Sequence, residues 1–440
     1  MTTSSSVLRF ITAGSVDDGK STLIGRLLYD SQTLLADQVA ALYHGKYKRT
    51  AEGVPDFAQL TDGLAAEREQ GITIDVAYRY FSTGKRKFII ADTPGHEQYT
   101  RNMVTGASTA DAAIVLIDAT RISSDNVQLL AQTRRHSALL KLLGTRHIIV
   151  AVNKLDLLDY SETHFNAIVA AYRDLADTLK LHNVRYVPIS ALNGDNIVHP
   201  STHMPWYRGE PLLPLLESLD TADAAAETST QAQQDWLLPV QRVARQDGSA
   251  ADAFRGYQGR LAQGTLAVGD AVRIEPSGDT STVAALFGLN GSIAQAQVGE
   301  MLTVTLADDV AVARGNSLVA AASPITPSTA ISAALCWFDD QPLNPARRYW
   351  LKHGSQTVYA KIKHIDYLWD VHTLSHTGHA DTVQRNDIGR VQLSLQQPIV
   401  ATAYAHNRAG GAFILIDEAS HHTVAAGMIT DNGEPGEWVI

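Results

Sequence analysis

The octapeptide Gly14–Ser21 (GSVDDGKS) constrains the fold of this chain more than any other feature of the sequence. It fits the phosphate-loop pattern, in which glycines let backbone N–H groups curl around a phosphate chain at the amino terminus of a helix. Such a loop needs a strand before it and a helix after it, and Val7–Thr12 and Ser21–Leu28 have the corresponding patterns. We therefore predict a triphosphate-binding loop; the alternative is an ordinary glycine-bounded surface loop.

The side chains of this loop suit a nucleoside triphosphate bound with Mg²⁺. Lys20 is expected to reach the β- and γ-phosphates, and the Ser21 hydroxyl is expected to bind Mg²⁺. The residues predicted to line the phosphates are Gly14, Ser15, Val16, Asp17, Asp18, Gly19, Lys20, Ser21 and Thr22.

Short apolar runs alternate with helical patterns over residues 1–215. The runs are apolar throughout rather than alternating, as is typical of parallel strands that are covered on both faces. The repeated order of strand and helix predicts a doubly wound, mostly parallel α/β sheet. The predicted strands are Val7–Thr12, Lys87–Ala91, Ala113–Ile117, Ile148–Val152 and Tyr186–Ile189, and a helix is predicted within Leu129–Leu143.

A second motif, DTPGH, follows the strand Lys87–Ala91 directly. An acid at this strand end is where a Mg²⁺-associated carboxylate belongs in a phosphate-loop enzyme, and Gly95 lets a backbone N–H approach the γ-phosphate. His96 comes next and is predicted to orient the attacking water; the alternative is an exposed loop histidine. The residues predicted to contact the nucleotide here are Asp92, Thr93, Pro94, Gly95 and His96.

A third pair of motifs selects guanine over adenine. In NKLD, after the strand Ile148–Val152, Asp156 can accept hydrogen bonds from guanine N1–H and its exocyclic amine, an arrangement that adenine lacks. The tripeptide SAL follows the next strand and can offer a backbone N–H to guanine O6. The alternative for the tetrapeptide alone is a chance turn. The predicted base-contacting residues are Asn153, Lys154, Leu155, Asp156, Ser190, Ala191 and Leu192.

Thr73 lies in the segment Glu69–Asp75 between the first two motifs. A threonine here can close on Mg²⁺ through its hydroxyl and on the γ-phosphate through its backbone, and can release both after hydrolysis. The alternative is an ordinary strand start. Together the motifs predict a GTPase whose catalytic residues are Lys20, Thr73 and His96 and whose Mg²⁺ ligands are Ser21, Thr73 and Asp92.

The character of the sequence changes after the α/β region. Asp220–Gln234 contains alanine as its only apolar residue, so we predict a linker. Beyond it, period-two alternation predicts antiparallel strands, with Gly269-Asp270 as a tight turn between two of them. We predict a GTP-binding domain over residues 1–218, a linker over 219–235, and small antiparallel β-barrels over 236–322 and 328–440.

The composition of the chain limits the partners that it can bind and the cellular compartment in which it is expected. Lys and Arg number 36 against 46 Asp and Glu, which gives a net charge of −10 and disfavours non-specific nucleic-acid binding. The single cysteine Cys336 is typical of a reducing compartment, and the polar segment Met1–Ser6 has no secretory signal. No apolar run is long enough to span a membrane. We predict a cytoplasmic protein.

A histidine cluster, His372, His376 and His379, offers a metal site as one alternative. The segment has little helical periodicity and no neighbouring cysteine, so a solvated loop is the favoured interpretation.

With these motifs the chain resembles the translation-factor class of GTPases, an α/β G domain followed by two β-barrels. Within that class it is similar to the GTPase (large) subunit family of bacterial sulfate adenylyltransferases. The resemblance rests on Gly14–Leu28, Ile74–Thr83, Ala91–Thr105 and Met204–Tyr207, with looser matches at Phe254–Gly259 and Gly410–Ile414.

The resemblance implies that GTP hydrolysis on this chain is coupled to the uphill formation of adenosine 5′-phosphosulfate and pyrophosphate from ATP and sulfate. It also implies a separate small subunit that transfers the adenylyl group. Some family members carry a fused adenylylsulfate kinase; because no second Gly-x-x-x-x-Gly-Lys follows, we expect none here. One departure is the stretch Thr120–Leu130, which looks longer than usual for the family.

The alternative function is an elongation-factor-like RNA carrier. Such a carrier needs clustered Lys and Arg on its barrels, whereas the basic residues of positions 236–440 are scattered among acids. We therefore favour sulfate activation.

Overall fold

The computed structural model describes residues 7–32, 34–44, 54–61, 75–96, 99–123, 127–221, 235–246, 254–370, 375–378 and 380–430. The chain divides into two compact units, the first formed mainly by Met1–Ala222 and the second by Asp223–Asp370 with Ser375–Val439. Most of the predicted linker, and Thr73, lie outside the described residues.

The first unit is built on one six-stranded sheet with the strand order β2-β3-β1-β4-β5-β6. All neighbours pair in parallel except β2, which lies antiparallel to β3 at the edge. The chain runs from β1 to one side of the sheet and then returns to the other, which confirms the doubly wound prediction. The strands are β1 (Val7–Ala13), β2 (Ala77–Ser82), β3 (Lys87–Asp92), β4 (Ala112–Asp118), β5 (His147–Asn153) and β6 (Val184–Pro188).

The central strands are apolar because helices cover both faces. Every residue of β4 is buried, and α1 buries Leu23, Ile24 and Leu27 in the same core. Short 3₁₀ helices occur at Phe57–Leu60, Ala119–Arg121 and Leu155–Leu158. The helices are α1 (Lys20–Asp30), α2 (Ala36–His44), α3 (Thr100–Ala107), α4 (Ala131–Leu142), α5 (Glu162–Thr178) and α6 (Leu212–Ser218).

The second unit begins with an antiparallel sheet whose strands follow the order β7-β16-β11-β12-β15-β9-β8, with β13 beside β12. A separate pair joins β10 to β14. Its strands are β7 (Leu237–Pro239), β8 (Arg242–Gln246), β9 (Phe254–Arg260), β10 (Thr265–Ala267), β11 (Ala271–Glu275), β12 (Asp279–Gly288), β13 (Gly291–Ile293), β14 (Gln295–Gln297), β15 (Met301–Leu306) and β16 (Ser317–Ala320).

The turn predicted at Gly269-Asp270 is present, but the strands on either side of it do not pair with each other. Both edges of β11 are occupied, by β12 and β16, so β10 pairs with β14 instead. Period-two alternation predicts that a strand exists and which residues face the core, whereas it does not specify the partner strand.

The remaining strands of the second unit form a closed antiparallel barrel. The pairings run β18-β22-β23-β17-β21-β19 and return from β19 to β18. The predicted alternations of Val358 with Ile362 and of Val391 with Leu395 point into its core. The elements are β17 (Ser328–Trp337), β18 (Tyr349–His353), β19 (Gln356–Asp370), β20 (Ser375–Thr377), β21 (Ile388–Ile399), α7 (Arg408–Gly411), β22 (Ala412–Asp417) and β23 (Thr423–Thr430).

The prediction of antiparallel β-structure after an α/β unit is confirmed. Within the second unit, Ser355 Oγ donates to the Val240 carbonyl at 2.7 Å and so connects the closed barrel to the preceding sheet. In the part of the chain that the structure describes, no helix has the length and apolar character needed to cross a bilayer.

Gly25 provides a test of how α1 packs. A Cβ at this position would lie 2.1 Å from the Phe57 carbonyl oxygen, so Gly25→Ala should force α1 away from the 3₁₀ helix Phe57–Leu60. Alanine favours a helix over glycine by about 1 kcal/mol, but the clash is the larger effect. We therefore expect the free energy of unfolding to fall by about 1–3 kcal/mol. Urea unfolding measures the change. Gly84→Ala, where a Cβ meets nothing within 4 Å, is the matched control and should be neutral; equal stability of both variants would contradict the packing.

Candidate nucleotide site

The carboxyl ends of five parallel strands bring the predicted motifs to one edge of the first unit's sheet. The phosphate loop follows β1, Asp92 ends β3, Asn153 ends β5, and Ser190 comes just after β6. Asp118, which the motif analysis did not select, ends β4 between them. In doubly wound sheets ligands bind at this edge, where the strand order reverses.

Two glycines give the phosphate loop its shape. A Cβ on Gly14 would lie 2.8 Å from the Leu116 carbonyl oxygen, and a Cβ on Gly19 would lie 2.4 Å from Asn153 Nδ2. Gly19 also has a φ of 95°, in the left-handed region that favours glycine, and it caps the amino terminus of α1. The loop backbone can therefore lie against β4 and β5 only with glycine at these positions.

Lys20 is buried and points back across the loop. Its Nζ donates to the carbonyl oxygens of Gly14 at 3.1 Å and Ser15 at 2.7 Å. Burial lowers the pKa of Lys20, and the carboxylates of Asp18 and Asp92 oppose that change. The result is a cation held at the centre of the loop by two backbone oxygens.

The DTPGH segment packs directly on the phosphate loop. Thr12 Oγ donates to Asp92 Oδ1 at 3.4 Å, and Thr93 Oγ donates to the Thr12 carbonyl at 2.6 Å, which fixes the end of β3 against β1. A Cβ on Gly95 would lie 2.4 Å from Lys20 Nζ, so this glycine permits the close approach. Pro94 is buried, whereas His96 is exposed, with its ring edge to face with Tyr99 at 6.1 Å.

Asn153 joins the phosphate loop to the loop that follows β6. Its Nδ2 donates to the Asp18 carbonyl at 2.9 Å, and its Oδ1 accepts from the Ala191 N–H at 2.9 Å. Ser190 Oγ accepts from the Asn193 N–H, and Arg26 on α1 donates to the Leu192 carbonyl at 3.1 Å. The two loops predicted to hold phosphate and base are thus one hydrogen-bonded structure.

Lys154 and Asp118 form an ion pair beside the loops. Lys154 adopts a φ of 64° and its Nζ lies 2.7 Å from Asp118 Oδ2. Burial alone would raise the pKa of Asp118, but hydrogen bonds from Lys154 and Thr120 lower it, so the carboxylate stays charged. Leu155 is buried and Asp156 is half-buried in the 3₁₀ helix Leu155–Leu158.

His136 on α4 is a site residue that the motif analysis missed. Its Nδ1 accepts the Gly14 N–H at 3.1 Å, and the Gln132 side-chain amide lies 2.9 Å from its Nε2. Burial, with a smaller effect from the Lys20 charge, lowers the pKa of His136 to about 3, so the ring is neutral. The available signal was its helical spacing: His136 shares the buried face of α4 with Leu139 and Leu140.

The other predicted residues fall into two groups. Ser21 and Thr22 lie in the first turn of α1, half-buried beside Lys20. Of the histidine cluster, His376 stacks on the Tyr367 ring at 4.0 Å, while His372 and His379 lie outside the described residues.

Comparison with known proteins gives matches to both units. Residues 5–226 match the family described as Elongation factor Tu GTP binding domain, and residues 330–430 match GTP-eEF1A C-terminal domain-like. Sulfate adenylyltransferase subunit 1 of Saccharophagus degradans is 47% identical over 97% of this chain and 87% of its own length. The subunit of the same name from Teredinibacter turnerae is 47% identical over 96% of this chain and 87% of its own. The bifunctional enzyme CysN/CysC of Xylella fastidiosa is 48% identical over 97% of this chain, which spans 66% of that protein.

The neutral state of His136 makes the stability of the first unit depend on pH. As the pH falls below the ordinary histidine pKa near 6.5, the unfolded chain takes up a proton that folded His136 refuses until about pH 3, so stability is lost. Between pH 7.5 and 5.5 this group should contribute a loss of about 1 kcal/mol. His136→Gln should remove that part of the pH dependence in urea unfolding, while exposed His182→Gln should leave it unchanged. Identical pH dependence in all three proteins would contradict the buried neutral ring.

Proposed function

This chain belongs to the sulfate adenylyltransferase subunit 1 family, and we propose that it couples GTP hydrolysis to the formation of adenosine 5′-phosphosulfate and pyrophosphate from ATP and sulfate. The observation that best supports this proposal is the sequence identity of 47% to the Saccharophagus degradans subunit. The match covers 97% of this chain and includes both units. The phosphate–sulfate anhydride is a high-energy bond, so its synthesis needs a second source of free energy. Identity across the barrels weighs against the RNA-carrier alternative.

In this proposal the phosphate half of the site is Gly14–Thr22. Lys20 exchanges the carbonyl oxygens of Gly14 and Ser15, which it now contacts at 3.1 and 2.7 Å, for oxygens of the β- and γ-phosphates. The backbone N–H groups at the start of α1 add the partial positive charge of a helix amino terminus. Positive charge is thereby placed where negative charge develops during hydrolysis.

Mg²⁺ fits the oxygen donors at the junction of the phosphate loop and β3. The Ser21 hydroxyl lies in the first turn of α1, and the Asp92 carboxylate is oriented by Thr12 Oγ. Hydroxyl and carboxylate oxygens are the ligands Mg²⁺ prefers, with Thr73 proposed as the third protein contributor. Bound there, the ion would neutralise charge on the phosphate oxygens.

Hydrolysis is assigned to His96 and Thr73. His96 follows Gly95, which already lies against Lys20, and this position in the chain is what supports its assignment to the attacking water. The proposed role of His96 is to orient that water, and that of Thr73 is to close on the γ-phosphate through its backbone.

The base half of the proposed site is the segment Asn153–Asp156 with Ser190–Leu192. Asp156 accepts from guanine N1–H and the exocyclic amine, while the stem of Lys154, held by Asp118, lies over the ring. Asn153 uses Oδ1 for Ala191 and one Nδ2 hydrogen for Asp18, which leaves its second Nδ2 hydrogen for guanine N7. Because the Ala191 N–H is bonded to Asn153, the Leu192 N–H becomes the preferred donor to guanine O6.

The partner in this proposal is a small subunit that carries the adenylyl-transfer site, and the compartment is the cytoplasm. The direct test is to co-express the two subunits, purify the complex, and measure adenylylsulfate formation with and without GTP. Synthesis that rises with GTP and releases GDP supports the proposal. A chain that binds guanine nucleotide but never alters adenylylsulfate synthesis would overturn it.

Asp156→Asn tests the choice of base. The substitution replaces a carboxylate acceptor by an amide donor that faces guanine donors, whereas the xanthine carbonyl can accept from it. GTP affinity should fall by about 2–4 kcal/mol and xanthosine triphosphate affinity should rise. Nucleotide titration measures both. Exposed Asp159→Asn, three residues away, is the matched control; an unchanged GTP affinity for Asp156→Asn would remove its base-reading role.

His96→Ala tests how hydrolysis is coupled to synthesis. GTP binding should stay nearly intact while hydrolysis slows by roughly 10²–10³-fold, because a group that orients the attacking water is lost. GTP-stimulated adenylylsulfate synthesis should fall in parallel, with exposed His199→Ala as the control. Labelled GTP and labelled sulfate in one reaction give both rates. Synthesis that stays GTP-stimulated while hydrolysis collapses would mean that GTP binding, rather than hydrolysis, does the coupling.

A further inference from the structure

The phosphate loop contains a buried carboxylate whose charge opposes the ligand proposed for it. Asp18 has a side chain that is 1% exposed, and its Oδ2 accepts the Ser15 N–H. Its Oδ1 is buried and has no hydrogen-bond partner among the described residues. A triphosphate brings further negative charge to this loop, so Asp18 must be compensated for the loop to bind it.

Arg121 is placed to compensate Asp18. It ends the 3₁₀ helix Ala119–Arg121, which follows β4. Its Nη1 donates to the Val16 carbonyl at 2.8 Å and lies 3.8 Å from Asp18 Oδ1, the oxygen that lacks a hydrogen bond. The guanidinium therefore contacts both the backbone and the buried carboxylate of the phosphate loop.

The other charges that face Asp18 do not compensate it fully. Lys20 on α1 attracts it, but in the proposed function Lys20 serves the phosphates. Asp118 at the end of β4 repels it, and burial raises the pKa of Asp18 above its ordinary value. Lys154 is already paired with Asp118. Arg121 is the one remaining cation among the described residues that forms an ion pair with Asp18.

We propose that Arg121 is a positioning residue that neutralises Asp18, held beside it by the hydrogen bond to the Val16 carbonyl, and that nucleotide affinity depends on the contact with Asp18. The inference rests on the proposed function, because it takes a guanine nucleotide as the ligand. When Arg121 is lost from the loop, an uncompensated negative charge is left beside the triphosphate and promotes its release.

The test is a double-mutant cycle on the full chain, read as GTP and GDP affinity and as the release rate of labelled GDP. Arg121→Ala should weaken GTP affinity about fivefold and speed GDP release, a modest effect because the Arg121 side chain is 43% exposed. Asp18→Asn removes the charge that Arg121 opposes and provides the second background of the cycle. In the Asp18→Asn background, adding Arg121→Ala should change affinity less than about twofold. Arg121→Lys should retain most of the affinity.

Exposed Arg208→Ala is the matched control, since it removes an arginine elsewhere in the first unit. If Arg121→Ala lowers the unfolding temperature, Arg121→Met replaces it, because methionine keeps the aliphatic packing without the charge. An equal loss of affinity in both Asp18 backgrounds, or none in either, would overturn the inference. Failure of the original chain to bind GTP would instead overturn the proposed function.

Discussion

The side-chain amide of Asn153 is the interaction on which the nucleotide site depends. It is buried at the end of β5, and its two polar atoms satisfy one backbone carbonyl in the phosphate loop and one backbone N–H after β6, each at 2.9 Å. Its loss would leave both backbone groups without a partner in a buried place, at about 1–3 kcal/mol each. The same amide explains Gly19, because a Cβ there would occupy the position of Asn153 Nδ2. The glycine of the first motif and the asparagine of the third therefore require each other.

Around this amide the site keeps three charged side chains, Lys20, Asp92 and Asp118, buried beside fixed partners. Lys20 is held by two carbonyl oxygens, Asp92 by Thr12, and Asp118 by Lys154 and Thr120. His136 instead avoids a buried charge by remaining neutral. Its Nδ1 can therefore accept the Gly14 N–H, and its ring does not repel Lys20. Such an arrangement is ready for a charged ligand before the ligand arrives, which is the condition for electrostatic catalysis.

The sequence predicted the local parts of this structure better than the long-range ones. The parallel strands were predictable because burial on both faces makes them apolar throughout, as in β4. Strand β2 was missed because Tyr78 and Tyr80 are exposed and it lies antiparallel at the edge. His136 and Asp118 were missed because each contacts a loop that is distant from it in the sequence. A short sequence motif does not record such a contact. The roles assigned to the site residues, Thr73 and His96 included, stay predictions.

The packing also indicates which contacts can transmit a displacement of Lys20. The proposed base half is tied through Asn153 to the Asp18 carbonyl of the phosphate loop and to the Ala191 N–H. Gly95 fits against Lys20 with no room for a side chain, so a displacement of one displaces the other. Two residues earlier, Thr93 lies against Gly106 of α3, where a Cβ would come within 2.9 Å of its methyl group. A chain of close contacts therefore leads from Lys20 through the DTPGH segment into α3. Because packed interiors shift between discrete arrangements rather than deform continuously, a displacement of Lys20 would be passed along these contacts to α3.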